Sequence, residues 1–211
     1  MSVLWAAGLA YLLGSFPTGY LVGRWVRGVD IRKHGSGNVG ASNVFRVVGL
    51  RWGLVVLAVD ILKGWVAVSV LYPLFSATPN LVTQAELFSR IAVGFSAIAG
   101  HNWTVFLRFK GGKGVATTCG VFLAILPRVV LSALLIWIVV VSVYKYISLA
   151  SICAALSCPL WVWAYHRHDD LFGPYFLIAW FVPVLIVFTH RSNIARLCAG
   201  SEHKITDRKK T

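Results

Sequence analysis

The chain has 211 residues, of which 58% are hydrophobic and only 13% charged, and its mean hydropathy is +0.75. A soluble domain of this length would lack the polar surface to cover its core, so the composition points to a lipid bilayer as the solvent. The formal charge of +13 would suit nucleic acid, but the basic residues sit at the ends of apolar runs. That placement fits membrane orientation and anionic phosphate groups, not nucleic acid.

In chain order, the apolar runs predict spans at 3–23, 53–72, 88–107, 115–126, 129–145, 147–165 and 174–189, the fourth shorter than the usual ~20 residues. The expected architecture is an all-α, polytopic transmembrane bundle of about seven spans, with six and five as alternatives. It forms one domain over 1–211, without linkers or internal repeats. With the N-terminus outside, Arg90, Arg128 and Arg167 fall on outer boundaries and Lys63 inside a span. The remaining basic residues, Arg208, Lys209 and Lys210 among them, fall on the inner side, which puts the C-terminus in the cytoplasm. The first span lacks a basic n-region and a small-residue cleavage site, so it reads as a retained helix.

Three polar stretches interrupt the apolar runs: Gly23 to Gly53, Arg108 to Lys113, and everything after His190. The predicted topology brings all three to one face, where a composite site is expected.

The first stretch holds Gly35, Ser36, Gly37, Asn38, Val39 and Gly40, a formal match to G-x-G-x-x-G. That fingerprint has meaning between a strand and a helix with an acidic residue about 20 positions on, and here it joins two membrane spans. A dinucleotide fold is therefore rejected. Glycines still allow close backbone approach to an anion, with successive N–H groups pointing into it. Ser36 and Asn38 add donors, and Asn43 and Arg46 follow on a helical turn. The alternative is an interfacial turn with a lipid-facing arginine.

The second stretch holds Gly111, Gly112, Lys113 and Gly114, but Gly114 occupies the Ser/Thr place of a Walker loop, so ATP binding is not supported. Lys110 and Lys113, set among these glycines where the next helix begins, suit a phosphate without a nucleotide. Lysines snorkelling to the interface are the plainer reading for one of them. His101 and Thr117 flank the loop. In the third stretch His190, Asn193 and Arg196 share one helix face, and a histidine there could bind phosphate or move a proton. The tail after Gly200 reads as a solvated basic end.

Asp60 and Lys63, spaced i, i+3 within a span, should satisfy each other. Ser148 and Ser151 stand one turn apart at the inner end of the sixth span and could reach the site or bond back to helix carbonyls. Cys119, Cys153, Cys158 and Cys198 lack C-x-x-C spacing. The knot from His166 to Asp170 reads as a solvated outer loop. No metal and no cofactor is called for.

Taken together, GSGNVGASNVFR at 35–46, VDILKG at 59–64, GHNWTVFLRFKGGKGVAT at 100–117 and HRSNIARLCAG at 190–200 resemble the bacterial integral-membrane acyl-phosphate:glycerol-3-phosphate acyltransferases, the PlsY family. The resemblance covers nearly the whole chain in order and spacing, departing at the turn Asn102-Trp103-Thr104. It implies acyl transfer from acyl phosphate to the 1-hydroxyl of glycerol 3-phosphate, giving lysophosphatidic acid and inorganic phosphate. The reaction would be the first committed acylation of bacterial phospholipid synthesis, at the cytoplasmic face of the inner membrane. The implied partners are those two substrates, membrane lipid and, functionally, the enzyme making acyl phosphate.

Two phosphate-bearing substrates need two anion pockets, for which Arg46, Lys110, Lys113 and Arg196 are the cations available. None of His34, His101, His166, His168, His190 and His203 has an aspartate five positions on, so the H-x-x-x-x-D base of other glycerolipid acyltransferases is excluded. Among the seven acidic residues, only Asp30, Glu202 and Asp207 lie near the inner loops, so a strong protein base is scarce. Direct attack by the glycerol hydroxyl follows, with a substrate phosphate or His190 accepting the proton and no acyl-enzyme on Ser36 or Ser148. The expected catalytic set is Ser36, Arg46, Lys110, Lys113, His190 and Asn193. The expected binding set is Gly35, Gly37, Asn38, Gly40, Asn43, His101, Gly111, Gly112, Gly114, Thr117, Ser148, Ser151, Arg196 and Glu202. The competing class is an organic-anion transporter, which would need midplane polar residues and inverted halves.

Overall fold

A computed structural model describes residues 2–78 and 83–207, all of them helical or irregular, with no strand among them. Arg208, Lys209 and Lys210 lie outside the described residues. Helix α1 (Ser2–Ser15) stops before Pro17, and α2 (Thr18–Arg27) ends at Gly28 in the left-handed conformation at φ 68°. The expected span 3–23 is therefore broken, because Pro17 has no N–H to continue the helical ladder. Beyond the break α2 becomes amphipathic, burying Val22 and Gly23 while Trp25 stays 76% exposed beside Arg24 and Arg27.

Helix α3 (Ala41–Val47) leads to α4 (Leu50–Val66), which runs through a π-helical stretch (Ala67–Leu71) into α5 (Tyr72–Phe75). Helices α6 (Gln84–Asn102), α7 (Val115–Ile125), α8 (Pro127–Tyr144), α9 (Ile147–His166), α10 (Phe172–Thr189) and α11 (Arg191–Cys198) complete the bundle. Among the described residues, four helical stretches are long and apolar enough to cross a bilayer: Leu50–Phe75, Pro127–Tyr144, Ile147–His166 and Phe172–Thr189. The other three expected spans are shorter or more polar. α1 has 14 residues and α7 has 11, while α6 carries Glu86 and Arg90 near its start and ends on His101 and Asn102.

Close pairing of backbones builds the interior. A Cβ at Gly14 would overlap the carbonyl oxygen of Ala97, and one at Gly100 that of Tyr11, so α1 and α6 touch main chain to main chain. The same relation joins Gly64 to Thr117 and Gly120 to Ile61 across α4 and α7. Small residues let membrane helices approach this closely, where van der Waals contact replaces a hydrophobic driving force. Helix α9 packs between α8 and α10, and Val121, Phe122, Val162, Ile178 and Ile186 share one buried cluster.

The pairings set the ends. Ser15 closes α1 against Gly100 and Thr104 at the end of α6, whereas Ser76, after α5, meets Glu86 at the opposite end. The N-terminus of α7, the N-terminus of α9 and the C-terminus of α10 meet at the face that carries the tail. The start of α1 and the His166 to Asp170 knot lie at the other.

Candidate active site

The first loop is shaped by one side chain. Asn43 is fully buried; its Nδ2 donates to the carbonyls of Ile31 (3.1 Å), His34 (3.1 Å) and Asn38 (2.8 Å), and its Oδ1 accepts from Ser36 N–H (2.8 Å). Both its amide hydrogens and one lone pair of its oxygen are spent on the loop, so Asn43 shapes the loop. Gly35 and Gly37 take φ of 60° and 72°, and a Cβ at Gly35 would overlap Asn43 Oδ1. Asn38 Oδ1 accepts from Gly40 N–H at 2.8 Å, leaving Ser36 half-buried at the turn. Asp30 is not a base for the site: hydrogen bonds from Arg32 hold its carboxyl at about 2.

Arg46, on the last turn of α3, donates from Nη2 to the carbonyl of His203 at 3.1 Å. Its Nε is buried with no hydrogen-bond partner among the described residues. A guanidinium N–H held out of water in this way is prepared for an anion.

In the second loop the two lysines part. Lys110 is exposed, after Arg108 and Phe109 in left-handed conformations at φ 54° and 61°. Lys113 is half-buried and its ammonium donates to Asn193 Oδ1. Burial pulls its pKa down to about 8, with Glu202 opposing and Arg196 and Arg46 adding to the fall. Thr189 Oγ1 donates to the Lys113 carbonyl at 3.3 Å, a tie from α10 that no sequence pattern marks. Gly111 and Gly112 donate their N–H groups to the carbonyls of Asn102 (3.1 Å) and His101 (2.9 Å). Gly114, at φ 76°, packs over the Asn102 amide, whose two polar atoms are buried without a partner among the described residues. Thr117 faces α4, its hydroxyl equally unpartnered among the described residues.

In the third segment His190 is 3% exposed and its Nδ1 lies 2.8 Å from the Ile186 carbonyl. A carbonyl only accepts, so Nδ1 bears the proton and the neutral ring keeps its lone pair on Nε2. Burial, reinforced by Lys113, lowers the pKa to about 4, so the ring is neutral near pH 7 and able to take a proton. Among the described residues no hydroxyl or thiol bonds Nε2.

Glu202 corrects the expectation of a solvated tail. It is buried, accepting from Ser148 Oγ (2.8 Å) and Asn193 Nδ2 (2.6 Å) on Oε1 and from Arg196 Nε (2.7 Å) on Oε2. Burial pushes its pKa up, but the three donors outweigh that and hold it below the usual range. The tail continues inward, with Ile205 N–H on the Lys145 carbonyl at 2.8 Å. Glu202, Ser148 and Arg196, expected to bind substrate, thus form a clamp that fixes Asn193. Ser151 turns away: its hydroxyl donates to the Ile147 carbonyl at 2.9 Å and accepts from Trp137 Nε1. His101 likewise lies beneath the loop, 3.8 Å from Asp60. The Asp60–Lys63 pair closes at 2.6 Å as expected. All four cysteines are free, and among the described residues no three His, Cys, Asp or Glu gather to hold a metal.

The fold and site together define an integral-membrane helical protein with a cluster of Arg46, Lys113 and His190 at one helix-end face. The family described as glycerol-3-phosphate acyltransferase matches residues 4–200. Glycerol-3-phosphate acyltransferase 2 of Moorella thermoacetica is 48% identical over 205 residues, covering 97% of this chain and 98% of its own. The glycerol-3-phosphate acyltransferase of Desulforudis audaxviator is 43% identical over 209 residues, covering 99% and 98%. The crystal structure of PlsY (YgiH), an integral membrane glycerol 3-phosphate acyltransferase in its glycerol 3-phosphate form, superposes with a TM-score of 0.83 at 36% identity. It covers 97% of this chain and 96% of that one. Its lysophosphatidic acid form superposes at 0.80 and 35% identity, covering 97% and 95%. The chain belongs to the glycerol-3-phosphate acyltransferase family and is an acyltransferase of the multi-pass membrane type.

Proposed function

We propose that this chain transfers a fatty acyl group from acyl phosphate to the 1-hydroxyl of glycerol 3-phosphate, releasing lysophosphatidic acid and inorganic phosphate for phospholipid synthesis. The observation that carries the reading is the neutral, buried His190 beside the Lys113–Asn193 bond, with Arg46 on the same face. Acyl phosphate is an activated anhydride whose leaving group is itself a phosphate, so the protein needs cations more than a strong base. Lys113 and Arg46 supply them where solvent is partly excluded, which strengthens their hold on charge developing at the phosphate. The glycerol oxygen forms its bond to the acyl carbon, the C–O bond to phosphate breaks, and the proton passes to His190 Nε2 or to a phosphate oxygen. No acyl-enzyme intervenes. Ser36 lies in the glycine loop, and the Ser148 hydroxyl is held by Glu202. The solved PlsY forms with glycerol 3-phosphate and with lysophosphatidic acid support the acceptor and product.

The same reading has one domain over 1–211, about seven crossings with the N-terminus outside, and a site facing the cytoplasm at the inner membrane. Supporting it, the start of α1 and the tail lie at opposite faces, and the basic loops gather at the site face. The enzyme that makes acyl phosphate would act just upstream. In detergent, purified protein should release phosphate from acyl phosphate only when glycerol 3-phosphate is present. Failure there, with anion uptake by proteoliposomes, would establish the transporter reading instead.

A further inference from the structure

Beneath the glycine-lysine loop lies a buried ionic stack that the proposed chemistry does not use. Lys63 Nζ donates to Asp60 Oδ1 at 2.6 Å and to the Phe16 carbonyl at 2.6 Å, which at the Pro17 break between α1 and α2 also accepts from Thr18 N–H at 3.0 Å. Thr18 Oγ1 donates to the same carboxylate at 3.3 Å. The pair is thereby locked between α4, α2 and the break before α2, and has little freedom to move, since a buried charge that loses its partner is costly.

His101 stands on this base, its Nδ1 3.8 Å from Asp60 Oδ1. Its other ring edge meets the loop. A Cβ built on Gly112 would overlap His101 Nε2 and lie 2.9 Å and 3.0 Å from its Cδ2 and Cε1. The imidazole therefore fills the space that any side chain at 112 would need. The main chain is fixed at the same place, because the Gly112 N–H donates to the His101 carbonyl and the Gly111 N–H to that of Asn102. One residue farther along is Lys113, whose ammonium reaches Asn193.

We propose that His101 is a positioning residue: its ring, wedged between the fixed Asp60–Lys63 pair and Gly112, sets the height of the loop that carries Lys113. The proposal rests on the acyltransferase reading of that loop. It gives the two glycines different reasons for being glycine. At 112 the obstacle is the His101 side chain, which a substitution can remove; at 111 it is the His101 and Asn102 main chain, which no substitution removes.

The test is a rescue in detergent-purified full-length protein, reading kcat and KM for glycerol 3-phosphate beside thermal unfolding. Gly112→Ala should lose about 100-fold in kcat/KM by displacing the loop. Adding His101→Ala should restore about tenfold of that loss, as coupled neighbours do. Gly111→Ala should be impaired and gain nothing from His101→Ala. If the H101A background does not yield folded protein, His101→Asn shortens the side chain while keeping a polar group beside Asp60, and the same comparison decides. Wild-type turnover in Gly112→Ala, or equal failure to rescue at both positions, would overturn the positioning role while leaving the acyltransferase reading intact. An inactive wild-type protein would sink both.

Discussion

Lys113 and Asn193, eighty residues apart in sequence, are joined by a direct bond from the ammonium to the side-chain carbonyl. The other end of the same amide donates to Glu202 at 2.6 Å. The neutral amide thus bridges an ammonium on the second basic loop and a carboxylate on the tail, tying both to α11.

Glu202 should matter first for stability. It accepts three hydrogen bonds out of water, and leaving donors unpaired costs more than one surface bond. Glu202→Ala should lower stability by about 3 kcal/mol, read as a fall in the detergent unfolding midpoint, with Glu202→Gln less affected. Its folded pKa is lowered, so the contribution is present above the unfolded value of ~4.3 and lost as pH falls through the folded one. Wild-type protein should therefore lose more stability on acidification than Glu202→Gln, and parallel curves would refute the clamp.

The two loop lysines should separate in kinetics. Lys113→Ala and Arg46→Ala should each lower kcat/KM by at least about 100-fold with the fold intact, as removal of a charge-stabilising donor does. Lys110 is exposed, and Lys110→Ala should change kcat/KM by less than about tenfold. Similar losses at both lysines would mean that Lys110 swings into the site.

The pH profile has two limbs with opposite origins. His190, held near 4 by burial, remains neutral well below the ordinary ~6.5, so its own protonation should not cut kcat/KM until pH approaches 4. Corrected for substrate ionisation, a limb near 6.5 that disappears in His190→Gln would contradict this. Lys113, at about 8, should lose its charge and the rate above that pH. Lys113→Arg keeps its charge to much higher pH and should remove the alkaline limb, whatever happens to kcat.

The α4–α7 contact predicts a stability defect far from chemistry. Gly120→Ala would drive a methyl into the Ile61 carbonyl, and forcing the helices apart should cost about 1–3 kcal/mol. A lower unfolding midpoint with an unchanged KM in the surviving folded fraction would bear this out. An unchanged midpoint would show that the helices separate freely.

Much of this protein was legible in the chain because its signals are local or periodic. Apolar runs long enough for a bilayer, basic residues at their ends and glycine-rich loops announced a helical membrane protein with its basic loops on one face. The spacing likewise put Asn193 and Arg196 on one short helix, with His190 at its N-cap. The Asp60–Lys63 pair was readable because its partners lie one helical turn apart. The tertiary structure decided which of many polar residues gather around Lys113 and His190. It exposed Lys110 and buried Lys113, committed Asn43 to its own loop, and turned Ser151 back to Ile147. It also drew Glu202 in from a tail that composition alone would leave in water. Lys113 and Glu202 depend on partners far along the chain, Asn193 and Ser148, whereas Asn43 and Ser151 settle on partners close in sequence. Periodicity fixes which face a residue occupies, but the partner that satisfies a buried polar group is chosen only when the helices pack.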